Sequence, residues 1–136
     1  MTTQEAEEIA QLINNRNHLI KNYTFKDILS KKECYVFIKE DNKVIACAAS
    51  NKIQWYQHEI THVSISEHFE GKGYGSRILA LAEKKAIENN VKILQCTIRT
   101  NNINSIRLFS KKGYKEVNTF FYPKTGNWVY IYQKVI

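Results

Sequence analysis

A strand-like run, three glycines and a helix-like run follow one another without a break in ISEHFEGKGYGSRILALAEKK, residues 65–85. Gly71, Gly73 and Gly75 lie between an alternating apolar run, residues 58–66, and a helical pattern over residues 75–90. A further strand-like run follows at residues 91–99. This order predicts a β-α-β unit with two parallel strands, in which the glycines lie at the carboxyl end of the first strand, where open α/β sheets bind ligands.

The rest of the chain supplies antiparallel partners for this unit. Helical patterns cover residues 3–14, 25–32 and 104–112, and strand patterns cover 34–40, 43–53, 114–122 and 128–136. The predicted fold class is α/β (α+β layered), with a mixed, mostly antiparallel sheet, a central β-α-β crossover and helices on both faces. Run 91–99 has apolar residues on both faces, which predicts a central, buried strand. The 136 residues fit one domain, 1–136.

Composition restricts the partners. The net charge is +7, but the lysines are scattered without a basic stripe, so we expect no nucleic-acid partner. No apolar run is long enough to span a bilayer, and the amphipathic, acidic N-terminal segment differs from a signal peptide, so we expect no membrane partner and a cytoplasmic location. Cys34, Cys47 and Cys96 fall on predicted strands without a CxxC pair, which predicts buried thiols and no metal site.

The glycine segment has the chemistry of a phosphate site. Glycine allows positive φ and a close approach of ligand to backbone, and a helix N-terminus offers unpaired N–H groups with partial positive charge. Lys72 adds a cation within the segment. The Walker A pattern and the dinucleotide fingerprint are both missing. A purely structural turn is the alternative interpretation.

A second motif lies at residues 101–117, NNINSIRLFSKKGYKEV, and is read together with the glycine segment SEHFEGKGYGS. Together the two segments resemble the GNAT acetyltransferase superfamily, whose motifs are Arg/Gln-x-x-G-x-G and an asparagine followed by a small residue, an apolar pair, an aromatic residue and Gly-Phe or Gly-Tyr. The positions that match the second motif are Asn102, Ser105, Ile106, Leu108, Phe109, Gly113 and Tyr114.

The resemblance implies an N-acetyltransferase that moves an acetyl group from acetyl-CoA to a primary amine of a small molecule or a protein, with the cosubstrate held between strands 59–66 and 91–99. It implies an oxyanion contact from the backbone amide of Ile65. Asn102 is either a cofactor contact or a helix N-cap. The residues that the resemblance implies for cofactor binding are Val63, Ser64, Ile65, Gly71, Lys72, Gly73, Tyr74, Gly75, Ser76, Asn102 and Phe109.

Two positions depart from the family pattern. Glu70 stands where the family prefers arginine or glutamine, so we expect weakened affinity for the pyrophosphate. Phe109 stands where many members carry a tyrosine that protonates the leaving thiolate. Tyr114 or Tyr122 is the alternative acid, although a thiol with a pKa of about 8.5 leaves without help.

The acceptor amine must lose a proton before it attacks, which requires a base. Strand alternation predicts that Glu59 shares one face with Thr61, Val63 and Ile65, and the resemblance implies a catalytic glutamate at this position, so Glu59 is the predicted general base. A solvated glutamate at the start of a strand is the alternative interpretation. His58 is the second choice, and His62 is expected to be a hydrogen-bonded histidine.

Trp55 and Tyr56 are predicted either to stack on the acceptor or to pack in the core, and the basic composition disfavours a polycationic acceptor. A non-catalytic acyl-CoA sensor remains the alternative function, favoured by Phe109 and opposed by Glu59. The apolar run 128–136 predicts a possible homodimer.

Overall fold

The computed structural model describes residues 1–17, 19 and 21–136. None of the helices formed by these residues is long and apolar enough to cross a membrane. Single turns of 3-10 helix occur at Lys32–Cys34 and Glu67–Phe69. The regular elements are α1 (Thr3–Arg16), α2 (Phe25–Ser30), β1 (Tyr35–Glu40), β2 (Lys43–Gln54), β3 (Gln57–Ile65), α3 (Tyr74–Glu88), β4 (Ile93–Arg99), α4 (Ile103–Lys111), β5 (Lys115–Tyr122) and β6 (Asn127–Val135).

The strands form one sheet in the order β1-β2-β3-β4-β6-β5. All neighbouring pairs are antiparallel except β3 and β4, which are parallel because α3 crosses between them. Asp41 and Asn42 both have positive φ at the β1–β2 turn, as the tight hairpin requires. The predicted fold class, including the central crossover, is therefore confirmed.

Helices cover both faces of the sheet. On one face, here named the α1 face, Ile9 and Ile13 of α1 pack with Cys47 and Ala49 of β2. On the other, named the α3 face, buried residues of α3 and α4 pack with alternate residues of the strands, among them Ala46, Ile60, Ile78, Leu79, Leu94 and Phe109. Alternation along β2 sends its apolar side chains to both faces, so this strand carries both parts of the core.

Two expectations about buried strands need correction. On β4, Leu94, Cys96 and Ile98 are buried on the α3 face, but Thr97 is exposed on the α1 face, so this strand is not buried on both sides. Within the described residues, helix α1 packs mainly on β2 and β3, which is why Thr97 of β4 is exposed. Cys34 ends a 3-10 turn and is not part of a strand. Burial raises the pKa of the Cys47 and Cys96 thiols to about 12.

A β-bulge in β3 corrects the predicted faces of this strand. Ala49 pairs with Thr61 and Cys47 with Ser64, so β3 has one more residue than β2 between these positions. His62 takes up the difference with φ of 55°. Glu59 and Thr61 therefore share the α1 face with Ser64, because all three pair with α1-face positions of β2. The prediction that Val63 and Ile65 share the face of Glu59 is wrong, since both pack against the core on the α3 face.

Candidate active site

The parallel strands β3 and β4 diverge soon after they begin. They pair only at Gln57 with Ile93, His58 with Leu94, and Glu59 with Gln95. Beyond these positions a cavity of about 430 Å³ lies between them, a volume within the usual range for small-molecule sites. The sheet therefore contains an open gap at the carboxyl end of its two parallel strands.

Residues from both faces of the sheet form the wall of this cavity. The α3 face contributes Ile60, Val63, Cys96, Ile98 and, from α4, Asn102, Ser105 and Phe109. The α1 face contributes Thr61, His62, Thr97, Arg99, Val129 and, from the end of α1 and beyond it, Arg16, Asn17 and Leu19. Tyr122 and Thr125 complete the wall from the β5–β6 hairpin. A molecule in the gap is thus reachable from opposite faces by two reactants.

The gap edge of β3 presents backbone groups. The N–H of Ser66 donates to the carbonyl of Ile45 on the β2 side, at 2.8 Å. Successive peptide groups of a strand point to opposite edges, so the N–H of Ile65 points away from β2 and toward the gap. The side chain of Ser64 is buried on the α1 face, where its Oγ accepts from Nδ2 of Asn17 at 2.7 Å. The backbone next to Ile65 can therefore pair with an extended ligand.

The glycine segment combines an unusual backbone with unpaired N–H groups. Gly71 and Gly73 have φ of 71° and 85°, and Gly73 is the N-cap of α3. The N–H groups of residues 71–76 donate to no acceptor in the described part of the chain. A Cβ added at Gly71 or Gly73 would meet no protein atom within 4 Å. Open space in front of unpaired amides at a helix N-terminus fits a phosphate group.

Gly75 has a different role from the other two glycines. A Cβ added here would lie 3.3 Å from Cδ2 of Leu108, so its small size lets α3 pack closely against α4. This contact brings the glycine segment next to α4, whose N-cap is Asn102. Oδ1 of Asn102 accepts from the N–H of Ser105 at 3.2 Å, and the residue also lines the cavity. Asn102 therefore caps the helix at a position within reach of a ligand.

The charges beside the glycine segment differ from the expectation. The carboxylate of Glu70 forms an ion pair with the guanidinium of Arg16, from the last turn of α1. The pair neutralises the carboxylate that we expected to weaken phosphate binding, and it joins α1 to the glycine segment. Nζ of Lys72 lies over the ring of Phe69, 5.6 Å from its centroid.

Glu59 lies at the last parallel pair before β3 and β4 separate, beside Gln95. Its side chain is half-buried, and burial raises the pKa of its carboxyl group. A higher pKa brings a carboxylate closer to the strength that proton removal at neutral pH requires. Glu59 does not itself form part of the cavity wall, whereas the next two residues, Ile60 and Thr61, do.

The two histidines of β3 are both engaged. Nδ1 of His58 lies 3.0 Å from Oγ of Ser50, and Nδ1 of His62 lies 3.3 Å from the hydroxyl of Tyr35. Burial lowers the pKa of both imidazoles. His62 lines the cavity and His58 does not. The expectation that His62 is hydrogen-bonded is confirmed.

Three aromatic residues bear on the protonation of a leaving group. Phe109 is buried and lines the cavity with an apolar ring. Tyr114 is also buried, and its hydroxyl donates to Oε2 of Glu83. Burial raises its pKa, and Tyr114 does not belong to the cavity wall, so its hydroxyl is not placed to protonate a leaving group in the gap. Tyr122 does line the cavity.

The prediction that Trp55 and Tyr56 lie near the acceptor cleft is not supported. They form the β2–β3 turn, at the opposite end of β3 from the glycine segment, and the cavity wall contains neither. Sequence reasoning missed Arg16, Arg99 and Thr125, which reach the wall from elements far apart in the chain. Only the position of Arg99, at the end of a predicted strand of the β-α-β unit, was a usable signal.

A mixed sheet with splayed parallel strands, and an amide-rich glycine segment between the first of them and its crossover helix, defines the class of the molecule. The sequence profile of the Acetyltransferase (GNAT) family matches residues 4–114. The chain therefore belongs to the GNAT acetyltransferase family, and the expected family and enzyme class are confirmed. No curated protein sequence matches the chain.

Solved structures agree with this fold. Ard1 from Thermoplasma volcanium superposes with a TM-score of 0.84 at 19% identity, over 100% of this chain and 94% of that one. A ribosomal-protein-alanine N-acetyltransferase from Brucella melitensis gives 0.85 at 17% identity, covering 100% and 97%. The putative acetyltransferase yncA from Salmonella typhimurium, solved with its cofactor acetyl-CoA, gives 0.86 at 16% identity, covering 99% and 90%.

Proposed function

We propose that this chain is an N-acetyltransferase that uses acetyl-CoA and a primary amine, with direct attack of the amine on the acetyl group. The observation that supports this most is the gap between β3 and β4, which begins beside Glu59 and is reachable from both faces of the sheet. When bound, acetyl-CoA supplies an acetyl group activated as a thioester.

The glycine segment would hold the diphosphate of the cosubstrate. The N–H groups of Gly71, Lys72, Gly73, Tyr74, Gly75 and Ser76 have no protein acceptor within the described chain, and the space before Gly71 and Gly73 is open. Backbone amides with the partial charge of a helix N-terminus bind anions. The ion pair with Arg16 compensates the charge of the Glu70 carboxylate beside these amides.

Residues along the gap would orient the acetyl group. The outward-facing backbone beside Val63, Ser64 and Ile65 would pair with the extended arm of the cosubstrate, and the N–H of Ile65 would donate to the oxygen on which negative charge develops. Phe109 would exclude water, and Asn102 would contact the cosubstrate at the start of α4.

Glu59 would act as general base from the α1 face. Its carboxylate, with the pKa raised by burial, would accept the proton of the amine directly or through water. As the amine nitrogen bonds to the acetyl carbon, the bond from that carbon to sulfur would break, and coenzyme A would leave as a thiolate, which needs no acid because a free thiol has a pKa of about 8.5. The cosubstrate would then approach from the α3 face, and the acceptor from the α1 face, so that the two do not compete for the same space.

The test is a measurement of free thiol released from acetyl-CoA by the full chain across a panel of amines. Amine-dependent release that shows saturation would support the proposal. Tight coenzyme A binding with no amine-dependent release would indicate the acyl-CoA sensor instead, and failure to bind coenzyme A would contradict both.

A further inference from the structure

The charged residues of the cavity wall are all basic. Arg16 and Arg99 contribute guanidinium groups, and among the described residues no aspartate or glutamate belongs to the wall. Arg99 also makes an interaction within the chain, and a guanidinium group has five N–H donors, more than one contact uses. The pairing of β4 with β6 is uninterrupted from Gln95 with Gln133 to Arg99 with Val129. Residues four apart on a strand point to the same face, so the side chain of Arg99 lies on the α1 face, as that of Gln95 does.

The α1 face is also the face of Glu59, which pairs with Gln95 at the paired end of the gap. Arg99 lies four residues further along β4, roughly 13 Å of strand at about 3.3 Å per residue. A carboxylate therefore marks one end of this side of the gap and a guanidinium the other. Such an arrangement matches a molecule with an amine at one end and an anionic group at the other.

We infer that the acceptor is a small amine that also carries a carboxylate or phosphate group, with its amine directed to Glu59 and its anion to the Arg99 side of the cavity. This inference rests on the proposed acetyl transfer and names the substrate class for the same site. Guanidinium groups recognise both anions with paired N–H donors, so the two sources share one chemistry.

Charge and size argue against the other acceptor classes. Like charges repel, so a polyamine would be disfavoured beside the Arg99 guanidinium, whereas the charge of Arg16 is compensated by Glu70. Leu19, Tyr122 and Thr125 are part of the wall of the cavity, which has a volume of about 430 Å³. That volume must hold the reacting end of the cosubstrate as well, which favours a small acceptor over a polypeptide.

The experiment compares matched acceptors in thiol release and in binding. The panel pairs free α- and ω-amino acids with their amides, and glucosamine 6-phosphate with glucosamine, and adds spermidine and a tetrapeptide with an acidic second residue. Isothermal titration of the coenzyme A complex with N-acetyl amino acids and their amides gives a readout that does not depend on turnover. Variants are Arg99→Gln, Arg99→Lys to retain the charge, and Arg107→Gln, an exposed control with the same change of net charge.

In at least one pair, we expect the anionic member to exceed its neutral partner about tenfold or more in kcat/KM and in affinity. One charge-assisted hydrogen bond contributes roughly this factor. Arg99→Gln should abolish this preference with unchanged coenzyme A affinity, Arg99→Lys should restore part of it, and Arg107→Gln should retain it. Equal turnover of neutral and anionic amines, or failure of every anionic probe to bind, would overturn the inference. Amine-dependent thiol release would still test the proposed acetyl transfer by itself, so the two failures can be told apart. Turnover of the tetrapeptide alone would overturn the small-molecule assignment.

Discussion

The sharpest prediction concerns Gly73→Ala, with Gly113→Ala as its control. Both glycines have φ in the left-handed region, 85° and 91°, and neither added Cβ comes closer than 3.7 Å to a protein atom. An alanine in this region costs about 1–2 kcal/mol. The two variants should therefore lose similar free energy of unfolding, since each has the same backbone strain and no clash.

Only Gly73→Ala should also lose coenzyme A affinity. Its Cβ enters the open space before the unpaired amides, which is where the diphosphate would lie. Loss of one hydrogen bond to a charged group costs about 1.5–3 kcal/mol, which is roughly 10- to 150-fold in Kd. Gly113 follows α4 and lies outside the cavity wall, so Gly113→Ala should bind with the wild-type Kd.

Two measurements separate the effects. Chemical denaturation gives the free energy of unfolding of each variant, and isothermal titration with coenzyme A gives its Kd at a temperature where all three proteins are folded. If Gly73→Ala binds as tightly as Gly113→Ala, the glycine segment does not hold the diphosphate. If both lose affinity equally, the loss follows from general strain and the assignment is likewise wrong.

Two further predictions test the groups around the gap. Glu59→Gln should lower kcat about 10²-fold or more at neutral pH with unchanged coenzyme A affinity, while the exposed control Glu88→Gln keeps full activity. Burial raises the pKa of Glu59, so wild-type kcat should increase with pH, with a midpoint above pH 4.5, as the carboxylate becomes deprotonated. If the Glu59→Gln variant retains this increase, Glu59 is not the base. Arg16→Met should raise the Kd of coenzyme A about fivefold, because one uncompensated charge nearby is worth about 1 kcal/mol in water, and adding Glu70→Gln should restore it. The side chains of the pair are 33% and 51% exposed, so Arg16→Met should change the free energy of unfolding by less than about 1 kcal/mol. A Kd that is not restored in the double variant would exclude charge compensation.

The sequence was sufficient for the order of elements because each element has local signals. Alternating apolar residues, the Asp41-Asn42 turn and Gly113 after α4 all depend on neighbours in the chain. The fold class followed from one rule, that a strand-helix-strand crossover makes its strands parallel. Cys34 was misplaced because a 3-10 turn and a strand start look alike in a short apolar run.

The site was predicted less completely, since its wall is assembled from distant segments. Nothing in the local pattern of α1 indicates that Arg16 reaches Glu70, because the contact depends on how α1 packs across β2 and β3. The exposure of Thr97 on the α1 face of β4 had the same cause, since the burial of a strand residue depends on where a helix ends over the sheet. Trp55 was misjudged because β3 runs away from the β2–β3 turn toward the glycine segment.

The bulge in β3 explains how one strand can serve two reactants. Without the additional residue at His62, strict alternation would put Glu59, Val63 and Ile65 on the same face, and base and cosubstrate would occupy one side of the sheet. With it, Glu59 lies on the α1 face beside Thr61, while Val63 and Ile65 pack toward α3 and α4. A non-glycine residue in the left-handed region costs about 1–3 kcal/mol and persists only where the surroundings hold it, which the contact of His62 with Tyr35 helps to do. The strained residue thus separates the proposed base from the side chains beside the proposed cosubstrate contacts, an arrangement that would leave room for both reactants in the proposed direct attack.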